Sequence, residues 1–348
     1  KMDRKTLTGF ILIGAILLLW PSYLELISPS EKDSKDLPSA DTTIVEKYSK
    51  QDQKVLKKTG APENNIESET LVVDGGSYVA QISNLAGGSI FSFNLKKHLK
   101  RSEESLDLID NQNKKNLVVS FINQSGEVVV LDELWSIVSG GSVVLSEENS
   151  SSSMVFETAY MGQPVTKKLT FYYNSYEVDV DVSLREIKES SLDEKYILSW
   201  VGGLPEHEGS QDAMFMEGLV SQVGSIESFR VGSAGFFGSS NTKSISEETK
   251  KYVGLVDFAG YRTKYFGVFF VPQKSDMVEL YKYPSLTRAG VDINITQDIN
   301  LEKNKLYLGP LDYTSVEALG VGLEEKILGW QWLSSVSWLV YSIMILLY

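Results

Sequence analysis

The 348-residue chain contains no cysteine and only two histidines, and acidic residues outnumber basic ones. Each shortage removes a class of chemistry. Without Cys there is no disulfide framework, no thiolate zinc site and no lipid-modified N-terminal cysteine, which fits an extracytoplasmic bacterial domain. His98 and His207 have no second His at a ligand spacing, so little is left for a metal site or imidazole catalysis. The net charge of −13 argues against nucleic acid, whose phosphates call for a basic surface. It also argues against broad adhesion to anionic lipid. No GxSxG elbow and no Walker loop occur. Residues 230–241 (RVGSAGFFGSSN) carry three glycines without GxGxxG spacing and read as a surface loop. Glu206 and Glu208 flank His207 but neighbours in sequence point apart, so this is a solvated acidic loop. Glu247 and Glu248 read as the start of a short charged turn, with nothing opposite them to make a glycosidase pair. No cofactor and no catalytic residue is expected.

What the sequence does have is a membrane-directed start, a long β-patterned middle and a Trp-rich apolar end. Lys1, Arg4 and Lys5 precede an uncharged run at 6–24, about long enough to cross a bilayer core. The charges that follow are mixed and mostly acidic, so the positive-inside rule leaves the N-terminus in the cytoplasm and sends the rest outward. WPSYLEL offers no small-x-small cleavage site, so residues 1–27 read as an uncleaved anchor rather than a signal peptide. Residues 28–68 are rich in Ser, Lys, Asp and Glu and cannot bury enough apolar surface to order themselves. They read as a flexible linker with a short helical piece around 43–58.

From residue 69 the hydrophobic period becomes two. LVVDGGSYVAQIS predicts a hairpin turning at Asp74-Gly75-Gly76, and NLAGGSIFSFNL another at Gly87-Gly88. Val165, Lys167, Leu169 and Phe171 share one face of a strand. Tyr176, Val178, Val180, Val182 and Leu184 alternate with Glu177, Asp179, Asp181 and Ser183, the pattern of a half-buried antiparallel strand. Many further strand patterns with Gly, Asn and Ser turns, and little helix before Ser315, predict a mainly β domain over 69–314, a large antiparallel sandwich. The one basic cluster of this region, LKKHLKR around His98, reads as a solvated edge that discourages strand pairing.

After Gly309-Pro310 the period becomes helical, with Val316, Leu319, Leu323, Ile327 and Trp330 on one side. No charged residue follows Lys326, and the chain ends inside GWQWLSSVSWLVYSIMILLY, so it is expected to be the front of a longer membrane protein. Trp330, Trp332, Trp338 and Tyr341 suit the headgroup zone, where a polar N–H or O–H and an apolar ring are both accommodated. Two placements of 333–348 remain open, an amphipathic helix lying in the interface or most of a spanning helix.

Taken together, the anchor MDRKTLTGFILIGAILLLW, the charged tether and the β domain resemble the N-terminal part of the YidC family of Gram-negative membrane-protein insertases. Similar local stretches run in order along the chain: ISNLAGGSIFSF at 82–93, KKLTFYYNSYEVDVDV at 167–182, YRTKYFGVFFVP at 261–272, YLGP at 307–310 and GWQWLSSVSW at 329–338. The resemblance implies a β-supersandwich like that of galactose mutarotases, with C-terminal amphipathic helices over 315–348. It implies a non-enzymatic insertase and chaperone that assists inner-membrane proteins, alone or with the Sec translocon. The partners implied are nascent membrane proteins, Sec translocon components and the lipid bilayer, with residues 28–330 periplasmic at the cell inner membrane. It also implies that GWQW begins an interfacial helix and that the transmembrane bundle lies beyond Tyr348, so no groove residue is assigned here. Two other readings remain, a membrane-anchored periplasmic binding or scaffold module and a sugar-binding domain.

Overall fold

The computed structural model describes residues 55–57, 67–99, 105–109, 115–205, 215–231, 248–283 and 290–324, all within the compact unit 53–348. The strands are, in chain order, β1 (Val55–Lys57), β2 (Thr70–Asp74), β3 (Tyr78–Ser83), β4 (Ser89–Leu99), β5 (Ser105–Asp107), β6 (Val118–Ile122) and β7 (Val128–Leu131). There follow β8 (Ser136–Ser139), β9 (Val143–Val144), β10 (Ser151–Tyr160), β11 (Gln163–Tyr172), β12 (Glu177–Ser183), β13 (Lys195–Trp200) and β14 (Glu217–Gln222). The set closes with β15 (Ser225–Arg230), β16 (Glu248–Val256), β17 (Phe258–Arg262), β18 (Phe266–Pro272), β19 (Ser275–Tyr283), β20 (Gly290–Asp298) and β21 (Lys303–Pro310). A 3-10 helix spans Arg185–Ser190, and a short helix α1 spans Tyr313–Glu317. The domain is mainly β, as its period-two patterning predicts.

Among the described residues the strands form three sheets. The nine-stranded sheet runs β15-β14-β17-β18-β21-β12-β11-β10-β8, the seven-stranded sheet β1-β7-β6-β13-β20-β19-β16, and the five-stranded sheet β5-β4-β3-β2-β9. Pairing is antiparallel except where β1 meets β7 and β2 meets β9. The half-buried strand expected at 177–183 is β12, whose Val178, Val180 and Val182 are all fully buried. Both expected glycine turns are present, between β2 and β3 and between β3 and β4. In the second, Gly88 has φ +103, and a Cβ there would lie 2.7 Å from Phe156 and 2.8 Å from Leu169. Only glycine satisfies both the left-handed backbone and that close approach. The contact also shows that the five-stranded sheet packs on the β10–β11 side of the nine-stranded one. At the other side, a Cβ on Gly218 of β14 would meet Leu280 of β19 at 2.7 Å, which places the seven-stranded sheet there. One continuous core of buried residues joins all three sheets.

Three expectations need correcting. Glu248 does not begin a turn. It is the first residue of β16, a nine-residue strand at the edge of its sheet, and its carboxylate pairs with Lys282 Nζ at 2.8 Å. Val55–Lys57 is a strand paired in parallel with β7, not part of a helical piece. The LKKHLKR stretch does not stand off from pairing either. β4 runs through it to Leu99 and pairs with both β3 and β5, while Lys96 Nζ sits 2.5 Å from Asp74 Oδ1. Burial of Leu95 on the same strand holds it in register while the lysine ends reach solvent.

Candidate functional site

The face of the nine-stranded sheet turned away from the main core carries α1 and the residues that follow it to Leu323. Its apolar positions, Leu219 on β14, Phe258 on β17, Phe269 on β18 and Tyr307 on β21, form a second cluster with Val316, Leu319 and Leu323. Tight contacts set its shape. Gly260 leaves room for the Phe269 ring, since a Cβ there would stand 2.1 Å from Phe269 Cδ1 and 2.4 Å from the Val268 carbonyl oxygen. Phe258 meets Phe269 edge to face at 5.9 Å. Tyr307 donates its hydroxyl proton to the Pro310 carbonyl, and Leu311 N–H donates to the Tyr265 carbonyl at 2.7 Å, fixing how the chain leaves β21.

Asp312 then caps α1, accepting from Ser315 N–H at 2.9 Å in place of an intrahelical partner. Val316 and Leu323 are fully buried and Leu319 nearly so. The helical period read from the sequence therefore lands on the sheet as far as Leu323. This face holds the connector against the sheet as far as Leu323.

Of two charged features in the domain, one sits on β14 and β17 of this sheet and the other on β20 of the seven-stranded sheet. Glu217 and Arg262, opposite each other on β14 and β17, form a largely buried ion pair in which both Arg262 Nε and Nη2 donate to Glu217 Oε1. The geometry is that of a matched structural pair. Asp292 on β20 accepts from Gly202 N–H at 2.9 Å, and burial raises its carboxyl to about 6.

On the other face of the nine-stranded sheet, Lys167 is fully buried among the core. Its ammonium donates to the carbonyls of Ala86 at 2.6 Å and Leu117 at 2.5 Å and lies 5.2 Å from the Trp135 ring centre. Ala86 and Leu117 both have positive φ, 51° and 59°, so one amine ties together two left-handed corners. Burial pulls the amine down to about 7. Sequence reading placed Lys167 on the apolar face of its strand but attached no role to it. A lysine in register with Val165, Leu169 and Phe171 was the available signal.

The expected interface residues Trp330, Trp332, Trp338 and Tyr341 lie outside the described residues, as do the anchor at 6–24, His207, Glu247 and 232–241 of the glycine-bearing loop. His98 falls on β4, and its side chain is outside the description. Among the described residues no helix is long and apolar enough to cross a membrane. No group of three His, Asp or Glu there is disposed to hold a metal.

Comparison with known proteins bears directly on this arrangement. The family model of the YidC periplasmic domain matches residues 70–341. The chain is 27% identical over 366 aligned positions to a membrane protein insertase YidC of Chlorobaculum parvum, covering 96% of this chain and 58% of that protein. It is 25% identical to the membrane protein insertase YidC of Prosthecochloris aestuarii, with coverage again of 96% and 58%. The chain thus spans less than two thirds of these relatives' length. Among solved structures, a GH36 α-galactosidase of Geobacillus stearothermophilus aligns with a TM-score of 0.39 at 9% identity, over 74% of this chain and 42% of that one. That likeness is too loose to carry an assignment. The match to the periplasmic-domain model takes in every described strand except β1, together with the capped connector beyond them, and on that ground the chain belongs to the YidC family.

Proposed function

We propose that this chain is the N-terminal and periplasmic part of a membrane-protein insertase and chaperone, one that assists insertion and folding of inner-membrane proteins alone or with the Sec translocon. The observation that carries the reading is the family match over 70–341, joined to relatives named as insertases along 96% of the chain. Residues 1–27 act as a transmembrane anchor with the N-terminus in the cytoplasm, and 28–68 as the linker. Residues 69–314 form the periplasmic domain, a β-supersandwich of the galactose-mutarotase kind. Residues 315–348 form the connector and membrane-interface segment, with Trp330, Trp332, Trp338 and Tyr341 at the headgroup level. The partners are nascent membrane proteins, translocon components and lipid.

We assign no sugar chemistry to the domain. Such catalysis needs a general acid and a base converging on one ring, and the largely buried Glu217 and Arg262 satisfy each other. Protease added outside spheroplasts tests the placement. Cleavage within 69–310, with the extreme N-terminus spared, is expected, and protection of 69–310 would reject it.

A further inference from the structure

We propose that β1 is a releasable clasp: the lysine-bearing end of the linker docks as a parallel strand on β7, and its release lengthens the tether to the β domain. Among the described residues β1 is an edge strand of the seven-stranded sheet, beside β7. Its three residues pair in parallel, Val55 with Val128, Leu56 with Val129 and Lys57 with Val130. The other six strands of that sheet all fall within residues 70–341, the part matched by the periplasmic-domain model. β1 comes before that part, so it is an addition from the linker to a sheet built without it.

β7 is an edge in need of cover. It reads VVVL, with Val129 and Leu131 buried and Val128 and Val130 half-buried. A β-branched, uncharged strand left open at a sheet edge is a template for pairing with other chains. β1 supplies that cover with little to hold it. Parallel pairing is slightly less stable per residue than antiparallel pairing. The net gain from hydrogen bonds along three residues is of the same size as the entropy lost in ordering them. A strand this short stands close to balance, and a further contribution decides whether it stays paired.

Charge supplies that contribution. The sequence through β1 is Lys54, Val55, Leu56, Lys57 and Lys58, three lysines in five residues of a chain whose net charge is −13. Glu127 precedes β7, and Asp132 and Glu133 follow it. Lys115, 2.6 Å from Asp132, offsets one of these three carboxylates. Attraction between such groups at a solvated edge is screened by salt, the Debye length falling from about 10 Å at 0.1 M to about 3 Å at 1 M. Screening therefore acts as the release. With the clasp closed, the linker joins the domain at residue 55; with it open, at residue 70. The gain is about 15 residues, up to roughly 50 Å of extended chain. That gain matters to a membrane tether only on the reading of residues 1–27 as an anchor, whereas the clasp itself does not depend on it.

The absence of cysteine lets two introduced ones be spin-labelled alone. The full-length protein in detergent carries Gln53→Cys and Ser125→Cys, the second in the exposed β6–β7 turn. Chain geometry keeps these two Cα atoms within about 23 Å while β1 is paired, so dipolar broadening of the EPR spectrum reports the closed fraction. At about 0.1 M salt most pairs are expected to be broadened. Val55→Pro with Leu56→Pro, which removes both neighbouring strand donors, should abolish the broadening. Raising salt to about 1 M should enlarge the unbroadened fraction by about threefold or more. Lys54→Glu with Lys57→Glu and Lys58→Glu should do the same at low salt. A wild-type spectrum as unbroadened as that of the proline variant overturns the inference, because no clasp forms. Broadening that survives both high salt and the triple glutamate variant also overturns it, making β1 a permanent strand. Neither result bears on the anchor, which the spheroplast protease experiment tests separately.

Discussion

Replacing Lys167 with methionine should flatten the pH dependence of stability on the alkaline side of neutrality. Among the described residues no carboxylate pairs with Lys167; its ammonium meets two carbonyls and the face of Trp135. Burial lowers its titration from 10.5 to about 7 in the folded protein. The unfolded chain therefore holds the proton between these two values while the folded one has released it, and stability rises with pH across that window. From pH 7 to 9 the gain from this group alone is about 2 kcal/mol, out of about 5 kcal/mol for the whole window. The two carbonyl bonds and the Trp135 ring favour the charged form, so this gain is an upper bound.

Methionine keeps most of the apolar stem and removes the charge, but leaves both carbonyls without this donor at roughly 1–3 kcal/mol each. At pH 7 that loss and the relief from burying a charge nearly balance. At pH 9 the relief has shrunk, so Lys167→Met should have lost ground to wild type by up to about 2 kcal/mol. Urea unfolding of the full-length protein in detergent, followed by near-UV circular dichroism at pH 7, 8 and 9, reads both slopes. Equal slopes would refute the argument and mean that the amine stays protonated throughout.

Asp292→Asn should act in the opposite pH range. A carboxyl raised to about 6 when folded makes stability fall as pH rises from about 4 to 6. The amide keeps an acceptor for Gly202 N–H and removes that fall, stabilising the variant by up to about 3 kcal/mol at pH 7, with little change at pH 4 by the same urea assay. Gly260→Ala drives a Cβ against the Val268 carbonyl and the Phe269 ring. It should cost on the order of 3 kcal/mol, seen as a fall in thermal midpoint and as protease cleavage between Pro310 and Glu324. Arg262→Met strands the Glu217 carboxylate and should cost roughly 3–5 kcal/mol, most of it recovered when Glu217→Met is added. An additive double variant would show that the pair is not coupled.

The strands that were legible in the sequence are those with one wet face. β12 shows full alternation because its acidic side remains partly exposed, and its buried valines sit where period two puts them. β14 and β17 gave no such signal, since EGLVS and FAGY are buried without interruption between the main core and the cluster under α1. Covering both faces erases the alternation on which strand reading depends. β16 failed for the opposite reason. It is an edge strand with exposed Glu248, Thr249, Lys251 and Val253, and its charged start looked like a turn. The connector was legible from Val316, Leu319 and Leu323 because a helix on a sheet needs only one apolar stripe. The buried amine of Lys167 was not, because its partners are carbonyls 81 and 50 residues away. Backbone acceptors leave no trace in side-chain pattern.

The most direct test is insertion itself. In cells depleted of their own insertase, the complete protein containing this chain should restore membrane insertion of a reporter whose short outer loop is tagged for protease protection. Restored protection is the result expected. Failure to restore it, with the protein present in the inner membrane at normal level, would contradict the assignment and leave an anchored binding or scaffold module as the better account.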